Sequence, residues 1–352
     1  MSEPRIGVLI PAYNEELVLK GTIDALVAAD CARKDIYVVD DRSTDRTHQI
    51  AIECGVNIYT VPENGGKARA QVAALEHFGL LSKYDWMIFL DGDTKVDPYF
   101  INAMHEAAVN DPSVALYVGQ VKSVENDHVF SALRAVDYAY GQDVAKHGQS
   151  NFNVIFVSPG CASMYRCDVL AQLHIDHLTL AEDMDLTMQV HRAGHRAVYL
   201  PKAIVNTQDP STLRDYSKQM LRWFRGFWQV VLKHKVFGFA KKQRVDFYIW
   251  LLVLDSILFN RILWIVGLCI ALPERWWQFL LIDVGMMAVV ACYGAYRTKR
   301  TDILKKFHAI YVLGFVSTLL YIRALIEIVI LRKEILAWNK VKRYDFSSNQ
   351  AA

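Results

Sequence analysis

Short apolar runs rich in β-branched residues punctuate the first third of the chain: IGVLIP (6–11), DIYVVD (35–40), VNIYTV (56–61), DWMIFLD (85–91) and ALYVGQV (115–121). Between them, Glu16–Ala28, Asp45–Cys54, Gly66–Phe78 and Pro98–Asn110 carry apolar residues at helical spacing. Strand and helix in alternation predict an α/β domain whose mostly parallel sheet is covered on both faces. In such a sheet, ligands bind at the carboxyl ends of the strands. Polar clusters stand at those positions. Tyr13-Asn14-Glu15 follows the first run, Asp40-Asp41 closes the second, Asn64-Gly65-Gly66-Lys67 follows the third and Asp91-Gly92-Asp93 the fourth. The pattern therefore aims polar chemistry at one rim of the sheet.

After Lys242 the pattern changes to three apolar stretches, 247–272, 276–296 and 308–331, each about long enough to cross a hydrocarbon core. Buried helices of a soluble domain are the plain alternative, but three such stretches in succession predict membrane helices. The first contains Asp255, Asn260 and Arg261; the third contains Arg323 and Glu327, spaced to pair on one helix face. The basic segment 297–306 and the N-terminal domain are expected on the cytosolic side. A third crossing would export a tail carrying Arg332, Lys333, Lys340, Lys342 and Arg343. That conflict predicts an interfacial or re-entrant stretch, and two to four crossings in all.

Composition sharpens this picture. Of 352 residues, 53% are hydrophobic and 22% charged, which excludes a disordered chain and is apolar for a purely soluble one. A formal net charge of +2 gives no global signature of a nucleic-acid binder. Six scattered cysteines, without a C-x-x-C pair or a His partner at metal-ligand spacing, argue against a disulfide framework or a zinc site. The opening MSEPRIGVLIPAYNEE lacks a basic region ahead of a long apolar run, so the N-terminal domain is expected to stay in the cytosol.

The acidic pairs are the first candidates for chemistry. Asp91 and Asp93 flank a glycine that permits a tight turn, and could share a hard cation such as Mg²⁺ or Mn²⁺ that holds phosphate oxygens. A lone D-x-D is usually a solvated turn; its place after an apolar strand, in register with the other clusters, favours the functional reading. Adjacent Asp40 and Asp41 face opposite ways in an extended segment, so one supports the loop while the other meets a ligand. Ser43 or Thr44 could cap the next helix. Lys67, behind two glycines at a helix start, is either a phosphate contact or a solvated lysine. Glu182, Asp183 and Asp185 read as first-turn helix acids or, alternatively, as the source of a general base, with SPGCASMYR (158–166) supplying a small-residue loop for close approach of a substrate. The segment QMLRWFRGFWQVVLKHK (219–235) reads as an amphipathic interfacial helix, yet Arg222 and Trp223 are also suited to a diphosphate and a sugar ring.

Taken together, PAYNEE, DDRSTD, NGGKA, DGD, AED and QMLRW resemble, in order and approximate spacing, the motifs of family 2 glycosyltransferases. The likeness is closest to the membrane-bound processive synthases of cellulose, chitin, hyaluronan and poly-N-acetylglucosamine, and covers about residues 5–235. It implies a GT-A domain with a mixed central sheet over 1–210, amphipathic interfacial helices over 211–243, transmembrane helices over 244–335 and a basic tail over 336–352. By that resemblance Pro11, Tyr13, Glu15 and Asp41 cradle the nucleotide of a UDP-sugar, and Lys67 is a further nucleotide contact. Asp91 meets the nucleotide or the metal, Asp93 binds the metal, and Asp183, beside Glu182 at the acceptor site, is the catalytic base. Gln219, Arg222 and Trp223 form the Q-x-x-R-W motif, its arginine on the diphosphate and its tryptophan on the acceptor sugar. The implied reaction is an inverting, Mg²⁺- or Mn²⁺-dependent hexosyl transfer to a polysaccharide or lipid-linked acceptor. It would take place on the cytosolic face of the inner cell membrane, by a multi-pass protein in contact with membrane lipid. N-acetylglucosamine is the first choice of donor sugar, with glucose and glucuronate as alternatives.

Two departures from the family stand out. Ala181 replaces the threonine that usually precedes Glu-Asp, and so few membrane helices would form a polymer channel only if chains associate as a homo-oligomer. A polyprenyl-phosphate glycosyltransferase is the rival enzyme. A nucleotide-binding protein without catalysis is the rival from another class, against which Asp91, Asp93 and Asp183 argue.

Overall fold

The computed structural model describes residues 3–124, 129–238, 242–258 and 260–336. These form two compact units, one from 3–124 and 146–208, the other from 129–145, 209–238, 242–258 and 260–336.

The first unit is built on an eight-stranded sheet of β1 (Ile6–Ala12), β2 (Ile36–Asp40), β3 (Asn57–Thr60), β4 (Trp86–Phe89), β5 (Thr94–Val96), β6 (Leu116–Ser123), β7 (Ser163–Arg166) and β8 (Ala197–Thr207). Their order is β3-β2-β1-β4-β7-β6-β8-β5. The first four in this order are parallel, as the alternating pattern predicts, and β2 is buried along its whole length, as a strand covered on both faces must be. The helices Leu19–Ala28, Thr47–Glu53, Lys67–His77 and Phe100–Asn110 fall inside the four predicted segments.

The other half of the sheet departs from the parallel expectation. Strand β7 runs antiparallel to both β4 and β6, and β5 antiparallel to β8, so the sheet is mixed. None of β5, β7 and β8 has a long apolar run: β5 is three residues, β7 is four, and β8 is interrupted by Pro201 and Lys202. The segment 158–166 is accordingly a loop only as far as Ala162, after which Ser163–Arg166 joins the sheet. These reversals bring additional loops to the polar rim. A strand running backwards starts at the rim where its neighbours end, so the loop before β7 and the turn before β5 both arrive at the carboxyl edge of β1, β2 and β4.

In the second unit, Leu213–Lys233 is an amphipathic helix whose first turn is capped by Thr212, which accepts the Asp215 N–H at 3.1 Å. Val129–Tyr140 belongs to this unit and packs on the helix Trp276–Thr298. Ala132, Ala135 and Val136 meet Ala291 and Ile303, and a side chain at Gly294 would collide with Val136.

Two helices, Trp276–Thr298 and Ala309–Ile330, are long and apolar enough to cross a membrane, and only 17% and 28% of their most apolar windows are buried within the protein. Ile282, Val289 and Tyr296 are among the side chains they leave exposed. The stretch 247–272 is not one continuous helix. It divides into Arg244–Leu258 and Arg261–Ala271, the second starting beneath Asn260, whose side-chain oxygen accepts the Leu263 N–H at 3.2 Å. Neither half reaches the length of a spanning helix. Arg323 and Glu327 pair as their spacing predicts, at 2.9 Å, and Arg225 adds a second contact to the same carboxylate at 2.6 Å. Lys340, Lys342 and Arg343 of the basic tail lie outside the described residues.

Candidate active site

The site in the first unit is assembled from five loops at the carboxyl rim and the start of the helix Glu182–Arg192. The turn after β1 is tied to the loop after β2 by reciprocal bonds. The Asn14 N–H donates to Ser43 Oγ at 2.9 Å, the Thr44 N–H to Asn14 Oδ1 at 2.8 Å and the Glu15 N–H to Thr47 Oγ1 at 2.7 Å. Asn14 adopts φ 53°, a left-handed conformation that asparagine tolerates better than most residues. Ser43 and Thr44 are thus occupied in holding the two loops together and do not cap the Thr47–Glu53 helix. Asp45 takes the Thr47 N–H instead, at 2.9 Å. Of the sequence-predicted nucleotide residues, Pro11 is the penultimate residue of β1, opposite Val39, Tyr13 is 39% exposed and Glu15 is buried.

The adjacent aspartates face opposite ways, as the extended geometry requires, but both carboxylates are spent on loops. Asp40 supports the loop, accepting from the Ser43 N–H at 2.9 Å and Thr60 Oγ1 at 3.1 Å. Asp41 faces the other way and receives the N–H groups of Gly65 and Gly66 at 2.9 and 2.8 Å. Burial pushes its carboxyl above the usual aspartate range, and those two N–H groups pull in the opposite direction. Gly66 holds φ 83° at the entrance to the helix Lys67–His77, a conformation that costs only glycine little. The turn aims Lys67 back at the rim.

Lys67 is the centre of the arrangement. Its Nζ lies 2.7 Å from Asp91 Oδ1 and 3.0 Å from Glu182 Oε1. Burial works against its charge, but Asp91, Glu182 and Asp183 together more than offset that penalty and hold the ammonium well above the ordinary lysine range. One cation thus bridges the turn after β4 to the start of the helix Glu182–Arg192. Gly160 fits against it, since a Cβ there would strike Lys67 Nζ.

Asp183 occupies the first turn of its helix, where Oδ1 accepts the Met184 N–H at 2.7 Å and Oδ2 the Gly160 N–H at 3.2 Å. Ala181, the N-cap, supplies no side-chain bond, so Asp183 itself satisfies a free helix N–H. The loop before β7 is further fixed by the Ser158 N–H on Thr187 Oγ1 at 3.0 Å and by Lys146, whose Nζ donates to the Val157 carbonyl. Lys146 is buried, which pushes its pKa down to about 7 against the upward pull of Asp183. Nothing in the sequence around it marks this lysine; only the fold brings it to the rim.

Asp93 is 3% exposed and Asp91 is partly open. Burial, followed by the charges of Asp91, Asp93 and Asp183, holds the Cys161 thiol well above the ordinary cysteine range. Among the described residues, no three His, Cys, Asp or Glu side chains converge closely enough to enclose a metal ion. A Mg²⁺-like ion does not need such a cage, because it keeps waters and takes most ligands from substrate phosphates, requiring one or two protein carboxylates. The oxygen donors Asp91 and Asp93, flanking one glycine in a region of surplus negative charge, fit that requirement.

Gln219, Arg222 and Trp223 lie on the helix Leu213–Lys233 of the second unit. Gln219 and Trp223 share a helix face, one turn apart. Gln219 Oε1 is buried without a hydrogen-bond partner.

Residues 4–226 match the family model described as "Glycosyltransferase like family 2". An N-acetylglucosaminyltransferase of Rhizobium leguminosarum bv. viciae is 28% identical over 331 residues, covering 86% of this chain and 74% of the relative. A poly-beta-1,6-N-acetyl-D-glucosamine synthase of Staphylococcus aureus (strain COL) is 26% identical over 268 residues, covering 74% of this chain and 62% of that protein. Among solved structures, a Pyrobaculum calidifontis mannosyltransferase in complex with GDP-Man and Mn²⁺ superposes with a TM-score of 0.61 at 19% identity, over 90% of this chain and 88% of that one. The fold is that of the GT-A glycosyltransferases.

Proposed function

The chain belongs to glycosyltransferase family 2, and we propose that it transfers a sugar, N-acetylglucosamine first among candidates, from its UDP conjugate to a growing polysaccharide at the cytosolic face of a membrane. The observation that carries this reading is the Lys67 bridge between Asp91 and Glu182, with the Gly160 N–H on Asp183 beside it. It gathers a candidate donor-binding turn and a candidate base at one rim. The N-acetylglucosaminyltransferase and poly-N-acetylglucosamine synthase relatives support the choice of sugar and of a polymeric product.

In the proposed reaction an acceptor hydroxyl oxygen forms a bond to the anomeric carbon as the bond from that carbon to the diphosphate oxygen breaks, inverting the configuration. Asp183 takes the hydroxyl proton, and the electron pair of the broken bond leaves with UDP. Pro11, Tyr13, Glu15 and Asp41 hold the nucleotide. Asp91 and Asp93 would hold a Mg²⁺ or Mn²⁺ ion, which when bound supplies Lewis-acid stabilisation of the leaving diphosphate. The Pyrobaculum calidifontis mannosyltransferase of the same fold is in complex with GDP-Man and Mn²⁺. Lys67 keeps Asp91 and Glu182 together and brings a positive charge to the rim. Arg222 engages the diphosphate, and Gln219 and Trp223 the acceptor sugar.

The test is to incubate membranes containing the chain with UDP-N-acetylglucosamine, UDP-glucose and UDP-glucuronate, measuring UDP release and product size. UDP-N-acetylglucosamine is expected to give the highest rate and a product of several sugars, with activity lost in EDTA and restored by Mn²⁺. A single sugar on a lipid carrier would overturn the polymerase reading, and no UDP release from any donor would overturn the enzymatic one.

A further inference from the structure

Trp223 does not stand alone in the second unit. The Arg134 guanidinium carbon, on the helix Val129–Tyr140, lies 4.9 Å from the centre of the Trp223 ring and 4.8 Å from that of Tyr138. Both distances are within the range of an attractive cation–π contact, which strengthens when water is excluded. Arg134 is 5% exposed, so water is largely excluded here.

The polar bonding of this arginine is sparse for a buried guanidinium with five N–H donors. Nη2 donates to Tyr138 Oη at 3.1 Å, and the charge is balanced at longer range by Asp209 at 3.7 Å and Asp137 at 3.6 Å. Its Nε–H is buried with no hydrogen-bond partner. An arginine serving only to tie two helices together would be expected to spend those donors on carbonyls or on a bidentate carboxylate. This one is instead oriented by two ring faces, with the buried Asp209 compensating its charge from the side.

We propose that Arg134 is a positioning residue for Trp223: it fixes the plane of the indole so that the opposite face is presented to a sugar ring. Stacking on a sugar needs a flat surface held at a set angle, and a tryptophan free to rotate loses part of its binding energy to ordering the ring. The inference rests on the reading of Trp223 as an acceptor contact.

The experiment measures transfer from UDP-N-acetylglucosamine to N-acetylglucosamine oligomers by the full chain in membranes, with four variants: Trp223→Ala, Arg134→Met, Arg134→Lys and the double variant Trp223→Ala with Arg134→Met. Arg134→Met is expected to raise the KM for the oligomer about tenfold or more, the effect of removing a desolvated cation–π contact, with the KM for the donor nearly unchanged. Arg134→Lys, which keeps the charge but not the plane, should fall between parent and Met variant. In the double variant, Arg134→Met should add no further loss to that of Trp223→Ala, because the arginine acts through the ring. If Trp223→Ala raises the oligomer KM but Arg134→Met multiplies that loss, or has none of its own, the positioning role is wrong while the acceptor reading stands. If Trp223→Ala leaves the oligomer KM unchanged, both fall.

Discussion

Each unit contains a three-membered charge cluster, and the two are mirror images in composition. At the rim of the first unit one cation, Lys67, is shared by two acids, Asp91 and Glu182, with Asp93 and Asp183 adding further negative charge nearby. In the second unit one acid, Glu327, is shared by two arginines, Arg225 and Arg323. The second cluster is closed: both carboxylate oxygens are engaged, at 2.8 Å and 2.9 Å, and it ties the amphipathic helix to an apolar one. The first is left with more negative charge than its lysine can neutralise. Such a surplus is costly in a fold and useful at a site that receives a cation with a diphosphate, whereas the second cluster is suited to a structural clamp.

That contrast has measurable consequences. The largest is expected at Asp183. Asp183→Asn keeps the shape and removes the proton acceptor, and should lower turnover about a thousandfold with donor KM little changed. A variant with near-parental turnover would remove the base from the first cluster and with it the main difference between the two. Next is Lys67→Met, which leaves the acids without their shared cation. The kcat/KM for the donor should fall about tenfold to a hundredfold, the scale for stripping one partner from a partly buried ion pair. The Mn²⁺ concentration giving half-maximal rate should fall as well, because the acids are freed for the ion. A higher Mn²⁺ requirement would contradict the picture of a lysine neutralising the rim.

Glu327→Gln probes the closed cluster and should behave in the opposite way. Thermal unfolding in detergent is expected to show a loss on the order of 2 kcal/mol, since two arginines are left facing a neutral group, while turnover changes less than about threefold. Loss of turnover with full stability would mean that the clamp belongs to the chemistry.

Lys146, outside both charge clusters, is read in the pH dependence of stability alone. Its pKa is pushed from the ordinary 10.5 to about 7 by burial. Between those values the unfolded chain binds the proton that the folded chain has released, so this lysine makes stability rise with pH across that window and costs the fold most below pH 7. The unfolding temperature of Lys146→Met relative to the parent should therefore be highest near pH 6 and decline towards pH 10. A pH-independent difference would show that the buried amine does not titrate in the fold.

How much of this was legible along the chain can be traced residue by residue. The four parallel strands, the polar clusters at their ends and the i,i+4 pair Arg323–Glu327 follow from local periodicity and spacing, which act over a few residues and leave a direct trace in the order of side chains. The opposite orientation of Asp40 and Asp41 follows from the same rule for extended backbone, whereas the loop N–H groups that each one holds do not. Strands β5, β7 and β8 left no such trace. They are short or interrupted, and what holds them is pairing with strands already in place, a property of their neighbours.

The amino-acid order by itself determined the family's motifs, the sheet's parallel half and the apolar character of the C-terminal part. Tertiary structure alone decided that Lys67 reaches acids from two distant segments, that Gly160 must be small to admit it, that Lys146 is buried beside the rim and that Arg134 lies on the Trp223 ring. It also divided the stretch 247–272 into two helices at Asn260. The physical reason is one of range. Periodicity and capping are encoded among near neighbours, whereas desolvation, ion pairing and ring contacts depend on chain crossings tens of residues apart, and these exist only once the backbone has closed.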